Sequence, residues 1–159
     1  QRRIYKQNLT IKKFDDFNNI PYDLLLLADP SKESIDDYIN RGMCYACYIN
    51  NKLAGMYILI KTYPFTFEIV NISVLENFQG SGIGKKLLIH AINLAKNENA
   101  HVLEIGTGNS SLNQLALYQK CGFRITNVYR DFFKIHYNEP IIENGIKCLD
   151  MIRLSLILG

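Results

Sequence analysis

One short stretch, Gln79-Gly80-Ser81-Gly82-Ile83-Gly84, constrains this chain more than any other, because glycine occupies every second position from Gly80 to Gly84. Before it, residues 67–75 (FEIVNISVL) are rich in β-branched side chains and predict a central strand. After it, Ile83, Leu87, Leu88, Ala91, Leu94 and Ala95 follow the spacing of a helix buried on one face. The order is therefore strand, glycine loop, helix. A helix start leaves backbone N–H groups without partners, and its dipole favours negative charge. Glycines let a bulky anion approach those groups, so the expected ligand is a phosphate or pyrophosphate.

Two familiar phosphate loops do not fit. A Walker A loop needs four residues between its glycines, then Lys and a hydroxyl residue. Here three residues separate Gly80 from Gly84, and Lys85 is followed by Lys86, so a magnesium-held nucleoside triphosphate is poorly supported. A dinucleotide fingerprint needs Gly-x-Gly-x-x-Gly, and the third position is Lys85 counted from Gly80, or Leu87 counted from Gly82.

The pattern Gln-x-x-Gly-x-Gly does fit, with Gln79, Gly82 and Gly84 in its fixed positions. Between a strand and a helix it resembles the coenzyme A pyrophosphate loop of the GNAT N-acetyltransferase superfamily. Leu117-Tyr118-Gln119-Lys120-Cys121-Gly122-Phe123 resembles the Leu-Tyr-x-x-x-Gly-Phe signature that closes the cofactor region of the same family. The resemblance covers residues 43–130 well and the flanks loosely. It implies a single domain over residues 1–159, of α/β (α+β) class, with a mixed, mostly antiparallel sheet and helices on both faces.

Composition agrees with one globular domain: 159 residues, 48% hydrophobic and 21% charged. The net charge is +3 and no Lys/Arg run exceeds two, so nucleic acid is not an expected partner. No apolar run is long enough for a membrane span, and the basic, polar first residues do not resemble a signal peptide. Cys44-x-x-Cys47 raises metal or redox chemistry. It lies in an expected strand, where the two side chains face opposite ways, and no second ligand pair exists. Reduced, buried thiols, no metal and a cytoplasmic setting are expected.

Taken in order, residues 2–10 predict an edge strand anchored by Ile4 and Leu9, and residues 21–27 and 31–40 predict two short helices. Residues 43–49 and 53–63 predict a hairpin turned at Asn50-Asn51-Lys52, with Gly55 marking a bulge or a close backbone approach. Strand 66–75 and helix 83–96 flank the glycine loop. Strand 101–107 and helix 112–120 follow, with Gly122 as a left-handed terminator. A strand over 123–133, an irregular segment over 134–146 and a final strand over 148–157 complete the chain.

The resemblance also implies roles for particular residues. Acetyl-CoA would be the co-substrate, with its pyrophosphate cradled by Gln79, Gly80, Ser81, Gly82, Ile83, Gly84 and Lys85. The backbone of Ile72, Ser73 and Val74 would pair with the pantetheine arm, where the family splays this strand from the next. An acceptor amine of pKa near ~10.4 lies about 4–5 kcal/mol from its neutral form at pH 7, so a base is useful. Glu68, eleven residues before Gln79, occupies the position of the catalytic glutamate in the histone acetyltransferase branch. Tyr118 would give a proton to the departing thiolate.

The family commonly has Asn seven residues before the tyrosine. This chain has Ser111 there, with Asn109 and Asn113 two residues either side, and either Asn would contact the cofactor or cap the helix. The segment 129–137, with Glu139 and Glu143 after it, suits an acceptor-pocket wall or a homodimer contact, and His136 is an alternative base. The acceptor is expected to be a small-molecule or peptide amine. The competing function is a coenzyme A-binding sensor or scaffold without turnover.

Overall fold

The computed structural model describes residues 8–159. Strand β1 (Leu9–Lys13) comes first, and residues 2–7 of the expected strand lie outside the described part. Two short helices follow, α1 (Tyr22–Leu25) and α2 (Lys32–Ile39). Pro21 precedes the first, and Ser31 caps the second by accepting the Ser34 N–H at 3.1 Å. β2 (Met43–Ile49), β3 (Lys52–Tyr63) and β4 (Thr66–Val74) then form an antiparallel meander. Asn50 and Asn51 turn the first hairpin with φ of 50° and 65°, a left-handed pair that Asn tolerates.

A single 3₁₀ turn (Glu76–Phe78) and the glycine loop lead into α3 (Ile83–Asn97), which returns the chain to β5 (Val102–Gly108). β5 lies parallel to β4, the only parallel pair among the described residues of the seven-stranded sheet. The chain continues through α4 (Leu112–Lys120), β6 (Arg124–Tyr129), α5 (Phe132–His136), a two-stranded hairpin of β7 (Ile142–Glu143) with β8 (Ile146–Lys147), and β9 (Met151–Ile157). The strand order is β1-β2-β3-β4-β5-β9-β6.

Each face of the sheet carries its own core. Ile83, Leu87, Leu88, Ala91 and Ala95 of α3 pack on Tyr57, Leu59, Phe67, Ile69, Leu103 and Ile105. Leu24, Leu25, Ile35 and Ile39 of α1 and α2 pack on Met56, Ile58 and Ile60 across the sheet. Full burial of each Leu, Ile, Phe or Met side chain here contributes roughly 1.5–3 kcal/mol. Cys47 belongs to the first core and Cys44 to the second, on opposite faces, and burial pushes both thiols up to about 11. No helix of the described residues is long and apolar enough to cross a membrane.

Two elements differ from the sequence expectation. The strand expected over 123–133 ends at Tyr129, and Phe132–His136 is a helix. Asp131 turns the chain with φ 58°, and its N–H is held by the Asp150 carboxylate at 2.8 Å. The aromatics that suggested a strand are instead i,i+4 partners: Phe132 with His136 (4.6 Å) and Phe133 with Tyr137 (5.5 Å). The segment expected to be irregular contains the β7–β8 hairpin, turned by Asn144 (φ 55°) and Gly145 (φ 72°).

Gly55 is a close approach with a bulge beside it. The β2–β3 register slips at Ala54, and a Cβ on Gly55 would lie 2.9 Å from both the Ser73 carbonyl oxygen and Leu87 Cδ1. A carbonyl in a sheet cannot retreat as a flexible side chain can. Gly55→Ala is therefore expected to lower the free energy of unfolding by about 1–3 kcal/mol, read from the urea midpoint at an unchanged slope.

Candidate active site

The site begins where the sheet divides. β4 and β5 pair only from Thr66–Val102 to Ile69–Ile105. Beyond that point β4 stays with β3 as far as Gly55–Val74, and β5 stays with β9 as far as Gly108–Met151. The two halves of the sheet thus part, and the β5-facing edge of residues 70–74 has no strand partner among the described residues. A cavity of about 370 Å³ occupies the fork, running from Gln79 and Tyr118 to Asp29, Glu68 and Arg153.

A bulge sets what points into it. In the β3–β4 ladder Leu59 pairs with Ile69 and Ile58 with Asn71, so Val70 is an extra residue. Before it, Phe67 and Ile69 face the α3 core. After it, Ile72 and Val74 face that core, and the alternation has shifted by one. The shift turns the Asn71 and Ser73 side chains to the α1–α2 side.

There they enter a continuous chain of hydrogen bonds. Ser73 Oγ donates to Asn71 Oδ1 (2.6 Å), and Asn71 Nδ2 donates to the Leu25 carbonyl and Tyr38 Oη, both at 3.0 Å. Tyr38 Oη donates to Asp29 Oδ2 (3.0 Å), and Tyr137 Oη reaches Asp29 Oδ1 from the far side of the cavity (2.9 Å). This chain ties the strand at the fork, the two early helices and the segment after α5 into one wall. Burial raises the Tyr38 and Tyr137 phenols well above their ordinary range, so both act as donors.

At the other end of the fork lies the glycine loop. Gly80 and Gly82 adopt φ of 77° and 87°, and nothing within 4 Å would meet a Cβ on either. Gln79 Nε2 donates to the Val74 carbonyl (2.9 Å), and Ser81 Oγ donates to the Phe78 carbonyl. The first intrahelical bond of α3 runs from Lys86 N–H to Gly82 O. The N–H groups of Ile83, Gly84 and Lys85 therefore precede the ladder. They border a second cavity of about 300 Å³ that also includes Asn113 and Leu117.

Tyr118 lines both cavities and is only 4% exposed. The Tyr-x-x-x-Gly-Phe spacing has a physical meaning here. Phe123 N–H bonds the Tyr118 carbonyl (3.0 Å), Gly122 N–H bonds the Gln119 carbonyl (3.0 Å), and Gly122 has φ 101°. These are the two bonds of a Schellman terminator, and its apolar contact is Tyr118 on Phe123, rings 6.2 Å apart. The helix stop thus fixes the ring that faces both cavities. Burial pushes the Tyr118 phenol well above the usual range, keeping it protonated.

Residues 11–123 match the acetyltransferase (GNAT) family. The chain belongs to the GNAT acetyltransferase family. This acetyltransferase is 55% identical over 150 residues to an uncharacterised N-acetyltransferase, YvbK, of Bacillus subtilis, covering 94% of this chain and 97% of that protein. A GNAT family acetyltransferase from Elizabethkingia anophelis, solved with acetyl-CoA bound, is 53% identical with a TM-score of 0.92, over 96% of this chain and 99% of that one. A Bacillus subtilis acetyltransferase solved with CoA is 55% identical with a TM-score of 0.91, over 96% and 100%. The chain is thus an N-acetyltransferase, and the expected fold class holds.

Among the residues singled out from the sequence, the acetyltransferase fold brings Glu68, Ile72, Ser73, Val74, Gln79 and Tyr118 around the first cavity. Gly80, Gly82, Ile83, Gly84, Lys85 and Asn113 surround the second. Asn109 stands apart. Its Nδ2 donates to the Lys147 carbonyl (3.0 Å), and its Oδ1 accepts from Leu149 and Asp150 N–H (2.8 and 3.0 Å). That amide clamps the segment that joins β8 to β9. Ser111 is buried, with its hydroxyl on Glu143 Oε1 at 3.0 Å. His136 is exposed against Phe132 and lines neither cavity.

Sequence reasoning did not find Asp29, Asn71 or Arg153. Asn71 carried a signal, an amide inside an otherwise apolar strand. Asp29 and Arg153 carried none, since the contacts that bring them to the cavity, with Tyr137 and Glu68, span 108 and 85 residues.

Gly122→Ala puts a side chain at a positive φ and its Cβ 3.2 Å from Leu156 Cδ1. The variant is expected to unfold about 1–2 kcal/mol more easily, measured by urea titration, with near-UV dichroism reporting a loosened Tyr118.

Proposed function

We propose that this N-acetyltransferase moves an acetyl group from acetyl-CoA to a primary amine of a cationic small molecule or peptide, with both substrates bound together. The cofactor fit rests on two features: left-handed glycines with open space above them at a helix start, and an unpaired strand edge beside them. Acetyl-CoA supplies a thioester carbon open to attack. The chain's own groups bind, orient and move protons. Ile72, Ser73 and Val74 offer backbone groups to the pantetheine arm, and an N–H on that edge polarises the thioester carbonyl. Loop amides from Gly80 to Lys85 hold the pyrophosphate, with Gln79 bracing the turn and Ser81 closing it. Asn113, on the cavity wall, is the side chain assigned to the cofactor, and Asn109 is assigned the clamp.

Glu68 takes the proton that the acceptor ammonium must lose, and Tyr118 gives one to the departing sulfur. Glu68 faces the fork opposite the loop, and Tyr118 stands between the two cavities. The sensor reading is the weaker one, because a module that only bound coenzyme A would not require a protonated phenol at that junction.

One observation carries the acceptor class. The fork cavity is lined by three carboxylates, Asp29, Glu68 and Glu143, against one guanidinium, Arg153. An excess of negative charge in a recessed cavity attracts cationic acceptors. A cytoplasmic setting is part of the proposal, since Cys44, Cys47, Cys121 and Cys148 are all unpaired and a reducing compartment keeps them so.

The test is a thiol-release assay with acetyl-CoA and a panel of amines. Diamines, polyamines and other polycations are expected to show kcat/KM about tenfold or more above zwitterionic amino acids, with the preference weakening as salt rises. No thiol release with any amine would sink the enzymatic reading. Tyr118→Phe is expected to lower kcat by about 10²–10⁴ while leaving coenzyme A affinity intact in calorimetry.

A further inference from the structure

The Glu68 carboxylate is held by a residue two strands away. Arg153 lies on β9, which pairs with β5, and β5 separates it from β4. Its guanidinium crosses β5 directly opposite Gly106, the register partner of Arg153. Nη1 donates to Glu68 Oε2 at 3.0 Å, and Nη2 lies 4.0 Å from Glu104 Oε1. The side chain is 13% exposed, and the Tyr129 ring sits 5.9 Å from the guanidinium carbon. A Cβ on Gly106 would lie 2.7 Å from Nη1. Only glycine at that position leaves a path across the strand.

We infer that Arg153, laid over Gly106, is the positioning residue that aims Glu68 into the fork. A carboxylate on a flexible side chain has many rotamers, and a charged donor on one oxygen selects among them. With Oε2 committed to Arg153, Oε1 is the oxygen presented to the acceptor. Glu104, in register with Glu68 on the neighbouring strand, keeps the guanidinium between two carboxylates. Lysine does not replace this geometry, because a point charge lacks the planar fork that reaches both. The charged groups that bear on Glu68 are Arg153 at contact range, Glu104 in register on the neighbouring strand and, lining the same cavity, Asp29 and Glu143.

This inference rests on Glu68 as the base, and the experiment separates the two. Glu68→Gln, Arg153→Met, Arg153→Lys, Gly106→Ala and the double variant Glu68→Gln/Arg153→Met are assayed for acceptor kcat/KM across pH. Thermal melting and coenzyme A affinity report the fold. Arg153→Met is expected to lower the plateau of kcat/KM about tenfold or more, as a loss of kcat with acceptor KM and coenzyme A affinity near wild type, because the carboxylate is bound in place but no longer aimed. Gly106→Ala changes no charge but blocks the path, and is expected to reproduce the plateau loss. Arg153→Lys keeps the charge without the planar fork and is expected to lose the plateau as well, which carries the test if the methionine variant does not fold. In the Glu68→Gln background, Arg153→Met is expected to cost less than about threefold more. Wild-type kcat/KM in Arg153→Met and Gly106→Ala, or losses that multiply in full with that of Glu68→Gln, would overturn the positioning role alone. Full activity in Glu68→Gln would overturn the base assignment and this inference with it.

Discussion

The parting of β4 from β5 after the Ile69–Ile105 pair is the constraint on which the rest of the structure depends. A parallel pair buried under helices ordinarily continues, because every unpaired backbone group in a dry interior costs free energy. Here each strand keeps its other neighbour, β3 for β4 and β9 for β5. The sheet stays intact on both sides of a wedge of unpaired edge. That edge can be satisfied by a ligand that offers amides, which is the physical reason for a cofactor arm lying in place of a strand. Because the unpaired edge is built from sheet rather than loop, it is held by the same two cores that stabilise the fold.

From the wedge, the chemistry sorts itself by side. The glycine loop and the start of α3 lie on one side and offer N–H groups to an anion. On the other side lie carboxylates and a wall of linked hydrogen bonds running from Ser73 to Tyr137. Tyr118 stands where the two meet, held by the way its own helix ends. The donor site is built from backbone, which is insensitive to side-chain identity. The acceptor site is built from side chains of the α1–α2 connection, β4, α5 and the segment after it, β7 and β9, which are free to differ among related enzymes that share the first.

That asymmetry explains what the sequence revealed and what it did not. A backbone site needs glycines at fixed spacing, and Gly80, Gly82 and Gly84 are visible to inspection, as are the helix terminator Gly122 and its flanking aromatics. Element order followed from periodicity. It failed at Phe132–His136, where the aromatics pack along a helix rather than across a strand. The β7–β8 hairpin had its Asn144-Gly145 signal, with flanking strands of two residues each, too short to show alternation. The wall of the acceptor cavity was illegible for a different reason. Asp29, Tyr38, Asn71 and Tyr137 meet only after the sheet and both helix layers are assembled, and no local pattern records such a meeting.

The extra residue in β4 has one more consequence. Strand side chains obey parity: odd and even positions look to opposite faces, and the rule is broken once, at Val70. Had β4 kept its parity through residue 74, Asn71 and Ser73 would face the apolar core over α3, and Ile72 and Val74 would face the hydrogen-bonded wall. Both surfaces would then be wrong at once. The boundary between scaffold and active site along this strand is therefore not a change in composition. It is a change of phase, written by the insertion of a single valine.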